Sequence, residues 1–239
     1  MKHKNFTCYF LIILFILSIL FLPSKVYSMG KDGTYQKLIY LTFDDGPSEE
    51  VTDKILDILK DKNVKATFFL IGYKIDGRER IIKRIKDEGH SIGLHTFSHD
   101  YKKIYKNSES FINEIKQNEN SINKVIGKSQ KILRFPSGSN GHMDRSLYNE
   151  LHSLGYKIFD WNICLSDGLD HNTPVNKLYA EGTAKCINPN RVFFLAHCSG
   201  NNQNTCKALP KIIDYYKSKG YKFMQITDKT PEYHFRISK

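Results

Sequence analysis

The chain has 239 residues, 40% of them apolar, and a formal net charge of +11. That length and apolar content suffice for one domain with a full hydrophobic core and fall short of two. The positive charges are scattered rather than blocked, and no helix-turn-helix pattern, RNP-type aromatic motif or basic arm accompanies them, which argues against a nucleic-acid-binding protein and for association with polyanions such as wall polymers or anionic membrane surfaces.

Residues 1–28 stand apart. Lys2, His3 and Lys4 precede an apolar run over 8–22, and Val26, Tyr27 and Ser28 form the small −3/−1 pattern of a signal-peptidase site. The segment reads as a signal peptide ahead of a domain over 29–239, with an uncleaved anchor as the alternative; as a helix the run spans only about 22 Å, short of the ~30 Å hydrocarbon core. The expectation is a secreted protein, or one associated with the cell wall or membrane surface. Three positive charges and no acid lie in this segment, which leaves +8 for the rest. Cys8 also lies there, leaving Cys164, Cys186, Cys198 and Cys206. These can form disulfides in three pairings or remain four buried thiols; no CxxC spacing supports a zinc knuckle.

Beyond residue 36, β-branched and aromatic runs alternate with helix-like segments. In chain order the pattern predicts a strand over 37–43, helix 49–60, strand 66–71, helix 78–88, strand 91–94, helix 108–126, strand 131–134, helix 144–154, strand 156–160, helix 173–187, strand 192–196, helix 205–219 and strand 221–226. Ile55, Leu56 and Leu59 share one helix face, as do Ile81, Ile82 and Ile85, and Gly89, Gly155 and Gly220 read as helix stops. Seven strands alternating with helices argue a mostly parallel α/β fold, closed as a barrel or open as a doubly wound sheet.

The chemically able residues cluster at predicted strand ends. Asp44 and Asp45 follow the first strand, His95 and His99 the third, Arg134 closes the fourth, Asp160 the fifth, and His197 follows the sixth. Carboxyl ends of parallel strands are where such folds keep their active sites. "HTFSH" places two imidazoles at i and i+4, on one helical turn or across a tight loop, and a carboxylate from another strand would complete a three-ligand set with an open position, the catalytic-zinc pattern. HxxxH by itself is as well explained by two surface histidines. The adjacent acids in "LTFDDGP" shift the balance: one cap suffices for the next helix, Ser48 supplies it, and two neighbouring carboxylates repel unless positive groups divide them. A cation beside one and Arg134 beside the other would do so.

On these motifs the chain resembles the polysaccharide deacetylases of the NodB-homology type, carbohydrate esterase family 4. The resemblance spans about residues 37–228: "TFDDGP" and "HTFSH" match the first two family motifs, "RFPSG" the Arg-x-Pro pattern of the third, "DW" at 160–161 the core of the fourth, and "LAH" the Leu-x-His of the fifth. It implies a distorted (β/α)7 barrel. It also implies that Asp45, His95 and His99 bind a divalent metal, most often zinc, that Asp44 is the general base held by Arg134, and that His197 is the general acid tuned by Asp160. Trp161 and Leu195 would line the pocket for the acetyl methyl, and the backbone N–H of Ser137 would help hold the oxyanion. Where many members carry Tyr, this chain has Ser137; Lys157 stands where the fourth motif often has a further Asp; and Cys198 directly follows the acid, where a Cys164–Cys198 disulfide would staple the site.

The resulting expectation is metal-dependent removal of N-acetyl groups from an amino-sugar polymer, with peptidoglycan favoured, on N-acetylglucosamine or N-acetylmuramic acid, and a monomer as the working form. Chitin and poly-N-acetylglucosamine are the alternative substrates. A wall-binding relative without turnover is the alternative of another class; such relatives lose a ligand or the base, and here all are present.

Overall fold

The apolar run at Leu38 becomes a nine-residue strand, β1 (Leu38–Gly46), buried on both faces. Its side chains alternate as a pleated strand requires: Ile39, Leu41 and Phe43 join the core beneath the helices, while Tyr40 joins a separate inner cluster with Phe69, Ile132, Phe159, Phe193 and Ile226. That two-sided burial explains why the run reads as continuously apolar rather than alternating. The computed structural model describes residues 36–128 and 130–237; the predicted signal peptide lies outside them.

After β1 come α1 (Glu49–Asp61), β2 (Thr67–Leu70), a 3₁₀ turn at Gly72–Lys74, α2 (Glu79–Asp87), β3 (Ser91–Leu94), the short α3 (Tyr101–Ile104) and α4 (Ser108–Ile126). Then follow β4 (Ile132–Leu133), α5 (Arg145–Ser153), β5 (Lys157–Ile158), β6 (Ile163–Cys164), a 3₁₀ turn at Ser166–Gly168, α6 (Val175–Gly182), β7 (Arg191–His197), α7 (Gln203–Ser218) and β8 (Lys222–Phe223). The strands pair in the order β5-β4-β3-β2-β1-β7-β6, with β8 beside β1, and every ladder is parallel. This is the distorted (β/α)7-type barrel that the sequence predicts. The C-terminal segment follows the sheet beyond β5: Tyr233 bridges Phe159, and its carbonyl accepts from the Asp160 N–H at 2.6 Å.

Differences from the predicted elements have local causes. The helix expected over 173–187 stops at Gly182, which lies against Ile212 and Phe194. The strand expected over 156–160 keeps only two ladder residues, because Phe159 and Asp160 turn toward the C-terminal segment. β6, also of two residues, is too short for any periodicity to reveal. The stops at Gly89, Gly155 and Gly220 are as expected, each with φ between 76° and 81°, the left-handed cap that glycine adopts without a Cβ clash.

Candidate metal centre and catalytic cleft

The two acids of "LTFDDGP" are separated by a break in the strand. The β1·β2 register shifts between Asp44 and Gly46, and Asp45 has φ 70°. In a regular strand adjacent side chains face opposite sides; a bulge with one residue in the left-handed region lets both carboxylates reach the same cleft. Thr96, His99 and Ser137 share this backbone strain, with φ of 61°, 53° and 63°. Four of the five non-glycine residues with positive φ among the described residues therefore sit in the predicted motifs, where strain of this kind concentrates at working sites.

Asp45 lies with its Oδ1 3.4 Å from His95 Nε2 and 3.3 Å from His99 Nε2. One ligand atom from each of Asp45, His95 and His99 falls within 4.8 Å of the others. "HTFSH" is thus a tight loop rather than a helical turn. His95 donates from Nδ1 to the Arg134 carbonyl at 2.9 Å, which turns its Nε2 toward Asp45. Burial first, then the neighbouring His95, lowers the pKa of His99 to about 4, so its ring is neutral and able to ligate. Burial alone would raise the Asp45 carboxyl, yet the imidazoles around it, His95 first and His197 next, hold it well below the usual carboxylate range. A carboxylate and two imidazoles at this spacing fit a divalent cation with an open position.

Asp44 has other company. It is 2% exposed, and Arg134, fully buried, donates from Nη1 to its Oδ1 at 2.9 Å. The guanidinium is held by Thr42 Oγ1 at 2.6 Å, the Phe159 carbonyl at 2.7 Å and the Asp160 carbonyl at 3.2 Å. It also lies over the Phe69 ring, 4.3 Å from its centroid. Each nitrogen of this buried guanidinium has a hydrogen-bond partner, as burial of a cation requires. Arg134 thus faces Asp44, and His95 and His99 face Asp45.

The predicted Asp160–His197 pair is not formed, and the correction is specific. Asp160 accepts from the Ser139 N–H at 3.0 Å and the Phe235 N–H at 2.6 Å, so it braces the turn after Pro136 against the C-terminal segment. Asp167 is the partner of His197: its Oδ1 is 2.8 Å from Nδ1 and its Oδ2 accepts the His197 N–H at 2.9 Å. Thr205 Oγ1 donates to Oδ2 at 2.7 Å, and Asn202 Nδ2 donates to the Asp167 carbonyl at 2.9 Å. Burial pulls the His197 pKa down, but Asp167 overrides it and raises the value to about 9. Gly168 packs against the same ring; a Cβ there would meet His197 Cε1 at 2.3 Å. In sequence Asp167 is only one of three closely spaced acidic or turn positions in "LSDGLD", and the two-residue strand that presents it carries no legible signal.

Of the remaining predicted residues, Ser137 sits on the left-handed turn at the cleft rim, its Oγ donating to Tyr101 Oη at 2.8 Å. Trp161 is half-buried, edge-on to Phe235, and Leu195 is buried one turn of the pleat below His197. The Cys164–Cys198 disulfide is absent: all four cysteines are free. The Cys198 thiol is directed to the Asp44 carbonyl at 3.3 Å and that of Cys164 to the Leu165 carbonyl at 3.1 Å. Sequence reasoning also missed Glu114, whose Oε2 accepts the Phe97 and Ser98 N–H groups at 3.0 and 2.6 Å between the two histidines. It missed Lys74 too, which donates to the Asp45 carbonyl at 2.9 Å.

Residues 31–159 match the family model described as polysaccharide deacetylase. The chain is 34% identical to a peptidoglycan-N-acetylglucosamine deacetylase of Bacillus cereus, over 87% of this chain and 74% of the relative. It is 32% identical to the peptidoglycan-N-acetylmuramic acid deacetylase PdaA of Bacillus subtilis, over 85% of this chain and 75% of the relative. Among solved structures, a Streptococcus mutans CE4 esterase superposes with a TM-score of 0.75 at 35% identity, covering 80% of this chain and 87% of that one.

Proposed function

The chain belongs to the polysaccharide deacetylase family and is a metal-dependent hydrolase of amide bonds, and from that premise we propose that its substrate is peptidoglycan, deacetylated on N-acetylglucosamine. The relatives named above act on peptidoglycan at one sugar or the other, which supports the polymer. The observation that carries the mechanism is the division of the two acids: Asp45 faces His95 and His99, and Asp44 faces Arg134.

In this reading Asp45, His95 and His99 hold the metal, with zinc favoured by a donor set of two imidazoles and one carboxylate. When bound, such an ion polarises the substrate carbonyl and lowers the pKa of water. Asp44 takes the proton from the attacking water, since its second oxygen, Oδ2, is 3.7 Å from His95 Nε2 at the centre while Oδ1 is engaged by Arg134. The water oxygen bonds to the amide carbon, and the oxyanion is met by the Ser137 N–H. His197, kept protonated by Asp167, gives its proton to the nitrogen as the C–N bond breaks, so that acetate and a free amine leave. Asp167 keeps the acid, His197, protonated, while Arg134 fixes the base, Asp44, in place.

The reading of a secreted or surface-associated protein fits this substrate, since residues 1–28 carry the signal pattern. The test is mass analysis of muropeptides after incubation with the metal-loaded protein. Loss of one acetyl mass, located by fragmentation on glucosamine, supports the assignment; loss from muramic acid moves the site, and no change overturns peptidoglycan as substrate.

A further inference from the structure

The turn that carries Ser137 does not hold its shape unaided. Ser137 and Gly138 both lie in the left-handed region, with φ of 63° and 85°, and a serine there is strained and persists only where its surroundings over-determine it. Within the turn, the Gly138 N–H donates to the Phe135 carbonyl at 2.8 Å. From one side, Tyr105 Oη donates to the Pro136 carbonyl at 2.5 Å and Ser137 Oγ to Tyr101 Oη at 2.8 Å. The other side is held by Asp160 and by the far end of the chain.

Asp160, fully buried, accepts the Ser139 N–H on Oδ1 at 3.0 Å, and on Oδ2 both the Ser139 hydroxyl at 2.5 Å and the Phe235 N–H at 2.6 Å. Its peptide reaches further: its N–H donates to the Tyr233 carbonyl at 2.6 Å, and its carbonyl accepts from Arg134 Nη2 at 3.2 Å. The Phe235 ring occupies the space that a side chain on Gly138 would need. A Cβ there would lie 2.7 Å from Phe235 Cε2 and 3.0 Å from Trp161 Cη2. The two rings meet edge-on, with centroids 5.1 Å apart. The segment that supplies Phe235 is itself tied down, since Tyr233 bridges Phe159 and Glu232 accepts the Ile158 N–H at 2.6 Å and lies 3.0 Å from His152 Nε2.

We propose that Phe235 and Asp160 are positioning residues for the reaction: together they set where the Ser137 N–H points, which makes the C-terminal segment a working part of the cleft. The inference rests on the proposed deacetylation for the use made of that N–H. An oxyanion exists only after water has added, so a displaced donor lowers kcat and leaves KM in place. Both residues act through the turn and touch no reacting atom.

The test compares the full chain with Phe235→Ala, Phe235→Leu and Asp160→Asn. Amide exchange at Gly138 and Ser139, read by NMR, reports the turn, and acetate release by the metal-loaded proteins from soluble peptidoglycan fragments reports the reaction. In Phe235→Ala, exchange at these two amides should quicken about tenfold, as local opening becomes easier. Its kcat should fall about tenfold, part of the 10²- to 10³-fold that one oxyanion donor carries, with KM within about twofold and metal affinity unchanged. Phe235→Leu, which keeps an apolar group against Gly138, should lose less, and Asp160→Asn should lose as Phe235→Ala does. Unchanged exchange overturns the proposal. So does quickened exchange with full kcat, and so does a loss of metal affinity alongside kcat, which marks general loosening of the fold. If the parent chain releases no acetate, the deacetylase reading fails by itself, and exchange at Gly138 and Ser139 alone decides whether the C-terminal segment sets the turn.

Discussion

Asp167 grips His197 at two points, the Nδ1 at 2.8 Å and the backbone N–H at 2.9 Å, so one carboxylate fixes both the ring's charge and its position. The imidazole sits in a buried setting that by itself disfavours charge, and Asp167 reverses that balance.

The pH profile follows. In the proposed mechanism His197 serves as acid only while protonated, which its raised pKa of about 9 permits throughout the neutral range. Asp167→Asn removes the group that raises it and leaves burial unopposed, so the alkaline limb of kcat/KM should move to lower pH. Asp160→Asn should leave that limb in place, because the Asp160 carboxylate bonds to Ser139 and Phe235. Rate measurements across pH 5 to 10 on the three proteins distinguish the two aspartates, with approximate limits set by the His and Lys ranges.

Asp44 and Asp45 should separate metal binding from turnover. Asp44→Asn is expected to lower turnover about 10²- to 10⁴-fold, the usual weight of a general base, and to retain its metal after dialysis. Asp45→Asn should lose the metal. Elemental analysis beside acetate release reads both, and equal metal loss in the two variants would contradict the division.

Glu114 should matter without touching the metal. Its buried carboxylate binds the two N–H groups between His95 and His99 and pairs with Lys103 at 2.9 Å. Supports of this kind typically carry about 10- to 100-fold in metal affinity. Competition with a chromophoric chelator should show weaker binding in Glu114→Ala by that order, with a smaller loss in Glu114→Gln.

Arg134→Met should destabilise the fold, since it strands a buried Asp44 carboxylate; removing one member of such a pair costs about 3–5 kcal/mol. Urea unfolding of the double variant Arg134→Met with Asp44→Asn should recover part of that loss, because no buried charge is then left unpaired.

The strand-helix alternation, the buried β1 and the residues of the first three motifs were legible because each is a local pattern: a period, a glycine stop, a five- or six-residue string. The Asp45, His95 and His99 cluster was legible for the same reason once "HTFSH" and "DD" were read together, and these three side chains do come together across β1, β2 and β3. Asp160 stood out in sequence as the end of a predicted strand in "DW", whereas Asp167 had no such signal. Which of them reaches His197 is decided where the chain turns at Phe159 toward Tyr233 and then returns as β6 beside β7, where Ile163 pairs with Phe194.

By itself the sequence determined which groups could ligate, donate and accept, since that chemistry belongs to side-chain type, and which runs would be buried, since that belongs to periodicity. The tertiary structure alone decided which aspartate meets His197 and that the four cysteines stay apart. Those outcomes depend on contacts between segments far apart in the chain, such as the 30 residues separating Asp167 from His197, and no local pattern encodes the fold that closes such a distance.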